Sequence, residues 1–167
     1  MTKSKSFISS EKGFSFLELI VLIVGIGILA LVGMANLSDS GSSLKEKALA
    51  KKILADVRYA QEMAINDGQL VQFIVETGQN RYSLKWQDNS YLQTPMAEED
   101  FIVDVDDSYF SGVSISSTAF NFGTLQFNGN GNPLDNGTLL TTTTNLLQLN
   151  GTTSIQITPG TGRCTIQ

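Results

Sequence analysis

Glu18 is the only charged residue between positions 14 and 38, a stretch that reads FSFLELIVLIVGIGILALVGMANLS. A helix needs roughly 20 apolar residues to cross the hydrocarbon core of a membrane, and residues 19–37 nearly supply that number. The stretch therefore predicts a transmembrane helix over residues 14–37. A carboxylate inside such a helix is costly unless a partner neutralises it, so Glu18 is a candidate functional residue.

The charges on the two sides of the apolar stretch differ in sign. Asp39 follows it, whereas the preceding charged residues are mostly basic: Lys3, Lys5, Glu11 and Lys12. Positive residues tend to remain on the cytoplasmic side of a membrane. This distribution predicts a single-pass protein with a cytoplasmic N-terminus and a C-terminal domain on the other side.

Three kinds of processing fit the N-terminal residues. The chain could be an uncleaved signal anchor, with Glu18 close enough to the interface to remain hydrated. It could be cut after Ala35, where Gly33 and Ala35 form a weak small-x-small site. It could also be cut between Gly13 and Phe14, which would keep the apolar helix and create an α-amine one turn before Glu18. A neighbouring subunit's amine could then pair with this carboxylate.

Composition excludes several kinds of chemistry. The 167 residues include no histidine and a single cysteine, Cys164. An internal disulfide is therefore impossible, and a zinc site or a Ser-His-Asp or Cys-His arrangement is excluded. The formal net charge of -5 argues against nucleic acid as a partner. We therefore predict that the protein is not an enzyme and uses no cofactor.

Residues 36–43 are polar and poor in helix-forming residues. Ser43 and Glu46 have the spacing of a capping box, which could start a new helix. Two interpretations remain open: a helix that continues through a weak point, or a helix that breaks in this segment.

Residues 44–67 have a helical pattern that ends before Gly68, a plausible C-cap. Lys52 with Asp56, and Arg58 with Glu62, have the i,i+4 spacing of ion pairs, which we place on the outer faces of the helix. The apolar stripe predicted to pack on a sheet comprises Leu49, Ile53, Val57, Ala60 and Ala64.

The rest of the chain is predicted to form strands, with turns at residues 77–80 and 129–133. The predicted strands are residues 71–75, 82–86, 101–105, 113–116, 120–127, 139–149, 154–158 and 163–166, the last at a sheet edge. The predicted fold is α+β, with a long N-terminal helix packed on an antiparallel β-sheet head domain.

The segment KGFSFLELIVLIVGIGILALVGM resembles the class III signal sequence of type IV pilins and pseudopilins. The resemblance implies that prepilin peptidase cuts between Gly13 and Phe14 and that Phe14 is N-methylated. It also implies assembly with other pilin or pseudopilin subunits through the N-terminal helices, with Glu18 as the assembly residue. The implied location is the bacterial inner membrane, in contact with its lipid, with a periplasmic head.

Three further segments narrow the resemblance to minor pseudopilins of the GspH/FimT type: AKKILADVRYAQEMAINDGQLVQFIV, LQFNGNGNP and IQITPGTGRCTIQ. The expected function is a minor pseudopilin or minor pilin of a type II secretion pseudopilus or type IV pilus. The alternatives are a major pilin fibre subunit and a DNA-binding minor pilin of natural transformation. The expected divisions are a leader (1–13), a transmembrane and assembly helix (14–37), a head helix (38–67) and a periplasmic β domain (68–167).

Two weaker candidate sites lie in the head. Asp104, Asp106 and Asp107 belong to an acidic stretch and are candidate calcium ligands. EF-hand spacing is absent. A strand with a hydrated acidic face fits the same residues. Arg163 is a candidate DNA contact, because DNA-binding FimT-type proteins have a similar ending. Those proteins carry a second arginine two residues later, where this chain has Thr165.

Overall fold

The computed structural model describes residues 15–167, and the side chains of residues 15–30 and 41–167. The chain divides into two compact units, Met1–Ser40 and Gly41–Gln167. One helix, α1 (Phe16–Asp67), includes residues 36–43, where the sequence left a break open. The division between the units falls within this same polar segment.

The second half of α1 contributes one face to the core. All five residues of the predicted stripe are buried, at 0–1 % exposure, which confirms the prediction: Leu49, Ile53, Val57, Ala60 and Ala64. The helix ends at Asp67, and Gly68 follows with a φ of 64°. Glycine adopts this left-handed conformation without steric cost, so the predicted C-cap is also confirmed.

Ten strands follow the helix and form two antiparallel sheets. Their bounds are β1 (Val71–Glu76), β2 (Arg81–Trp86), β3 (Ile102–Asp104), β4 (Ile115–Ser117), β5 (Thr124–Phe127), β6 (Pro133–Asp135), β7 (Thr138–Leu139), β8 (Thr144–Leu149), β9 (Thr153–Ile157) and β10 (Cys164–Ile166). One sheet has the order β3-β2-β1-β5-β6-β7, and the other has the order β10-β9-β8-β4. The α+β class is confirmed, with two antiparallel sheets in place of the single predicted one.

Local patterns predicted the hairpins well. The β1–β2 hairpin pairs Val71 with Trp86 and turns through Thr77–Gln79, as expected. Its last turn residue, Asn80, has a φ of 47°, which asparagine tolerates better than most residues. The predicted final strand is β10, and it lies at a sheet edge as expected.

Two predicted strands begin four or five residues later than expected, and one hairpin was not predicted. Residues 120–123 precede β5 and include the 3-10 turn Asn121–Gly123. Phe122 in this turn has a φ of 54° and is 91 % exposed, so its backbone is strained for a bulky residue. The additional hairpin, β6–β7, lies between these two predicted strands, and its Asn136-Gly137 turn has two positive φ angles. The strand expected from residue 139 begins at Thr144.

A single core joins the helix stripe to both sheets. It includes Phe73 and Tyr82, whose rings stack with centroids 5.1 Å apart, together with Leu147 and Ile155 from the four-stranded sheet. Cys164 is buried at the edge of this core and forms no disulfide. Packing and polar contacts must therefore stabilise the head.

Candidate functional site

Glu18 lies in the first turn of α1. The backbone N–H groups of Glu18 and Leu19 donate to the carbonyl oxygen of Ser15, at 3.0 and 3.1 Å. Ser15 is therefore the N-cap, and Glu18 occupies the third helical position, the spacing of a capping box. A carboxylate here is also favoured by the partial positive charge of the helix N-terminus.

Glu18 lies among exposed apolar side chains. The exposed large apolar residues of this segment are Phe16, Leu17, Leu19, Ile20, Val21, Leu22, Ile23, Val24, Ile26, Ile28 and Leu29. Within the described residues, no lysine or arginine forms an ion pair with Glu18. An exposed apolar surface of this extent indicates an interaction site.

Two further observations concern this segment. Over the part of the chain that the structure describes, no helix is both long enough and apolar enough to cross a membrane. The span predicted over residues 14–37 is therefore not confirmed, and part of it lies outside the described residues. The predicted cleavage residues, Gly13 and Phe14, also lie outside the described residues.

In the head, Gln61 holds two glycine-containing turns. Its side-chain amide donates to the carbonyl oxygen of Gly131 at 2.7 Å and to that of Thr161 at 2.9 Å. The first turn joins β5 to β6 and the second joins β9 to β10, so one amide links turns from both sheets. A Cβ on Gly162 would lie 2.6 Å from the Gln61 amide nitrogen. The turns GNGNP and PGTGR therefore meet at one helix residue.

Glu46 links α1 to the β8–β9 turn. Its carboxylate accepts hydrogen bonds from the Asn150 amide at 3.1 Å and the Thr152 hydroxyl at 3.0 Å, and its side chain is only 8 % exposed. Burial raises the pKa of Glu46, but hydrogen bonds from Thr153, Asn150 and Thr152 outweigh it, and the net pKa is lowered. Of the two interpretations left open for this segment, the continuous helix is observed: α1 runs through Glu46, and the β8–β9 turn binds its carboxylate.

Lys52 and Asp56 form the predicted ion pair at 2.9 Å, but not on an outer face. Asp56 is buried, and its Oδ2 also accepts a 2.6 Å hydrogen bond from the Tyr82 hydroxyl. Burial, together with the nearby Asp56 charge, raises the pKa of Tyr82 well above its ordinary value. This cluster attaches the helix to β2.

The acidic candidates form a turn after β3. Asp104 Oδ1 accepts from the backbone N–H groups of Asp106 and Asp107, at 3.0 and 3.4 Å, and Asp106 accepts from the Asn80 amide at 2.7 Å. Within the described residues, no group of three or more histidine, cysteine or acidic side chains is arranged to hold a metal ion. Asp104 instead binds backbone N–H groups of its own turn, and Asp106 binds the Asn80 side chain.

Arg163 is exposed between the β9–β10 turn and β10. Its backbone N–H donates to Thr161 Oγ1 at 3.3 Å, and its carbonyl accepts from Thr158 at 2.9 Å. Its guanidinium forms no ion pair with the acidic residues that the structure describes. Within the head, none of the described hydrogen bonds or ion pairs of Arg163 reaches the acidic turn.

Glu46 and Gln61 were not predicted as structural contacts. Glu46 had a local explanation, the capping-box spacing, and Gln61 is a common helix residue with no local signal. The only sequence signal for the Gln61 contacts was the pair of glycine-rich turns, since several glycines in one turn indicate that another group approaches its backbone.

A scan against protein families matched residues 49–162 to the model described as Type II transport protein GspH. No curated protein and no solved structure matched the chain. The matched range includes the buried helix stripe, Gln61, the GNGNP turn and all of the PGTGR turn except Arg163. The match covers more than half of the chain, so this protein belongs to the GspH family of type II transport proteins.

Proposed function

We propose that this protein is a minor pseudopilin, a structural subunit built into a type II secretion pseudopilus through its N-terminal helix. One observation carries the proposal: α1 begins with an exposed apolar surface that contains a single carboxylate, Glu18. Membership of the GspH family supports the same function. The chemistry that matters is then done to the protein rather than by it.

In this proposal, prepilin peptidase cuts between Gly13 and Phe14, and the new amine of Phe14 is methylated. Residues 14–37 anchor the subunit in the inner membrane with the N-terminus at the cytoplasmic face. Residues 38–67 and 68–167 form the periplasmic head. The subunit then leaves the membrane when its apolar helix packs against those of its neighbours.

Glu18 would select the position of each incoming subunit. The Phe14 amine and the Glu18 carboxylate are separated by about one helical turn, so they can pair between neighbours that are displaced along the helix axis. Away from water, leaving such a charge unpaired costs about 3–5 kcal/mol. A subunit docked at another depth would incur this cost, and the ion pair therefore fixes the register.

Two alternatives make different predictions. A major pilin would form most of the purified filament, whereas a minor subunit would be present at low abundance relative to another pilin. DNA binding is disfavoured by the net charge of -5 and by the single arginine near the C-terminus, Arg163. Quantitative mass spectrometry of sheared filaments distinguishes the two abundance classes.

The Glu18 proposal is tested with two substitutions that separate charge from helix capping. Glu18→Gln keeps a residue suited to the third position of a capping box but removes the charge, whereas Glu18→Ala removes both. If the ion pair drives assembly, both variants reach the membrane at normal levels and enter filaments at least about 100-fold less. The measurement is the ratio of filament-bound to membrane-bound protein.

Normal assembly of Glu18→Gln alone would assign the residue to helix capping, and normal assembly of both variants would refute any role in assembly. Mass spectrometry of the mature N-terminus provides an independent test. A methylated Phe14 is expected, whereas a chain that starts at Met1 or Asn36 would refute the processing step.

A further inference from the structure

Four Asn-Gly pairs lie in the head, and they begin at residues 128, 130, 136 and 150. Asparagine followed by glycine is chemically labile, because glycine has no side chain to shield its backbone nitrogen. That nitrogen can attack the asparagine side-chain carbon Cγ and close a cyclic imide. Whether a given pair reacts depends on what holds the asparagine side chain and the glycine N–H.

The reaction needs only water and base. Base removes the glycine amide proton, the nitrogen forms a bond to Cγ, and the bond from Cγ to Nδ2 breaks, so that the side-chain nitrogen leaves as ammonia. Water then opens the ring at either carbonyl and gives aspartate or isoaspartate, without oxidation or reduction. An N–H that already donates to a protein acceptor must open before base can reach its proton.

Asn128 is held by the backbone of its own turn. Its Oδ1 accepts from the N–H groups of Asn130 and Asn132, at 3.1 and 3.0 Å. Ring closure moves Cγ from contact distance to bonding distance, which would pull Oδ1 away from these donors. The next residue, Gly129, is closely packed, since a Cβ there would lie 2.8 Å from the Gly68 carbonyl oxygen. Both residues of this pair are therefore restrained.

The second pair is restrained through its glycine. The Gly131 N–H donates to the Asn128 carbonyl oxygen at 2.8 Å, and the Gly131 carbonyl accepts from the Gln61 amide at 2.7 Å. Gly131 is also buried, and a Cβ on it would lie 2.7 Å from the Ile65 side chain. Asn130 itself is exposed, but the nitrogen that would attack it cannot move without disrupting the turn.

Asn150 is held at both ends of its side-chain amide. Its Nδ2 donates to the Glu46 carboxylate at 3.1 Å, and its Oδ1 accepts from the Ser114 N–H at 2.9 Å. The Gly151 N–H donates to Ser116 Oγ at 3.1 Å. A hydrogen bond to a charged group is about twice as strong as a neutral one, so Glu46 contributes most to this restraint.

Asn136 lacks comparable contacts. It lies in the turn of the β6–β7 hairpin, it is exposed, and its side chain forms no hydrogen bond within the part of the chain that the structure describes. Gly137 is also exposed, and a Cβ on it would have no neighbour within 4 Å. The Gly137 N–H donates to the Gln126 side-chain oxygen at 2.9 Å. A glutamine side chain can rotate away without disturbing the sheet.

Local opening is also easy at this hairpin. β7 has two residues, both exposed, and lies at the edge of its sheet. Segments with few buried contacts open at the lowest free energy. We propose that Asn136 is a site of spontaneous deamidation in the folded head, and that local contacts protect the other three Asn-Gly pairs. This modification is independent of how the N-terminal helix assembles.

Deamidation changes both the charge and the length of the turn. Either product adds a carboxylate next to Asp135, whose two oxygens accept hydrogen bonds from Asn121 at 3.0 and 2.9 Å. Isoaspartate also adds a main-chain carbon to a turn whose length fixes the strand register. We therefore expect the isoaspartate product to lose the hydrogen bond from the Leu140 N–H to the Pro133 carbonyl oxygen, which measures 3.1 Å.

The test ages the purified full-length chain in detergent at mildly alkaline pH, in water labelled with heavy oxygen. Peptide mapping by mass spectrometry then gives the fraction of aspartate and isoaspartate at each Asn-Gly pair of the same molecule. We expect Asn136 to react at least about 10-fold faster than the other three asparagines, because each of those must open two or more contacts. Incorporated heavy oxygen identifies the residues that changed during ageing.

Substitutions at Gln126 test its restraint on Gly137. Gln126→Ala should raise the rate at Asn136 by about 2- to 10-fold, the effect of one neutral hydrogen bond. Gln126→Glu keeps an acceptor oxygen and should leave the rate low. Gln72→Ala is the matched control, because Gln72 pairs with Gln126 between β1 and β5 but donates to Trp86.

A substitution at Glu46 tests the protection of Asn150. Glu46→Ala should accelerate deamidation of Asn150 by at least about 10-fold and leave the rate at Asn136 unchanged. The rates at Asn128 and Asn130 in the same chain report any general loosening of the head.

Three results would overturn the inference. Equal rates at all four pairs would mean that the reaction proceeds through global unfolding and not in the folded head. Faster reaction at Asn130 than at Asn136 would refute the assignment of the labile site. A wild-type rate at Asn136 in the Gln126→Ala chain would refute Gln126 as the restraint on Gly137.

Discussion

Replacing Glu46 with alanine is expected to lower the free energy of unfolding by about 2–3 kcal/mol. The carboxylate accepts hydrogen bonds from Asn150 and Thr152, and bonds to a charged acceptor each contribute about 1.5–3 kcal/mol. The two bonds together would contribute about 3–6 kcal/mol. Both donor residues are exposed and can bind water in the variant, so the expected loss is at or below the bottom of this range. Glu46→Gln keeps one acceptor oxygen and should lose only about 1–2 kcal/mol.

The assay is denaturant unfolding of the purified full-length chain in detergent, followed by fluorescence of Trp86, the single tryptophan. Glu62→Ala is the matched control, because Glu62 is an exposed glutamate on the same helix and should change stability by less than about 0.5 kcal/mol. If Glu46→Ala costs no more than Glu62→Ala, the polar link between α1 and the β8–β9 turn does not stabilise the head.

The stabilisation that Glu46 contributes should decrease at low pH. The folded-state pKa of Glu46 lies below the ordinary value of 4.5, so the folded chain binds this proton less readily than the unfolded chain. The resulting stabilisation is fully present above the unfolded pKa and is lost as pH falls through the folded pKa. The stability difference between wild type and Glu46→Gln should therefore shrink below pH 4.5, and a constant difference would contradict this explanation.

Three further predictions concern the core and its turns. Cys164 should resist iodoacetamide in the native chain and react fully after denaturation, as measured by mass spectrometry, because burial raises its pKa to about 12. Gly162→Ala should destabilise the chain by about 1–3 kcal/mol more than Gly160→Ala in denaturant unfolding, since both have a positive φ but only Gly162 has close neighbours. Tyr82→Phe should cost about 1–3 kcal/mol in the same assay, because it removes the hydrogen bond to Asp56.

Short-range patterns predicted much of the head. Alternation at Val71, Phe73 and Val75 placed β1, and helical spacing from Leu49 to Ala64 placed the buried face of α1. These patterns work because burial on one face imposes a fixed period on the chain. The exposed carboxylate at Glu18 was also identified from sequence alone, since a charge within an apolar stretch is conspicuous.

Long-range contacts were not predictable in this way. The division of the strands into two sheets depends on which distant segments pair, and β1 with β5 is one such pairing. Asp56 was predicted to lie on the surface, because an ion pair with Lys52, four residues earlier, was enough to explain a carboxylate at this position. Its contact with Tyr82, 26 positions away, has no periodic signal.

The amide of Gln61 has two N–H donors, and the turns at Gly131 and Thr161 use one each. No other side chain of similar length offers the same pair of neutral donors, and a glutamate would direct oxygen atoms at both carbonyls. Among homologues, a change at position 61 should therefore coincide with altered length or glycine content in both turns, although 30 residues separate those turns along the chain. Covariation of these three sites would indicate that homologues connect their two sheets through the same helix residue.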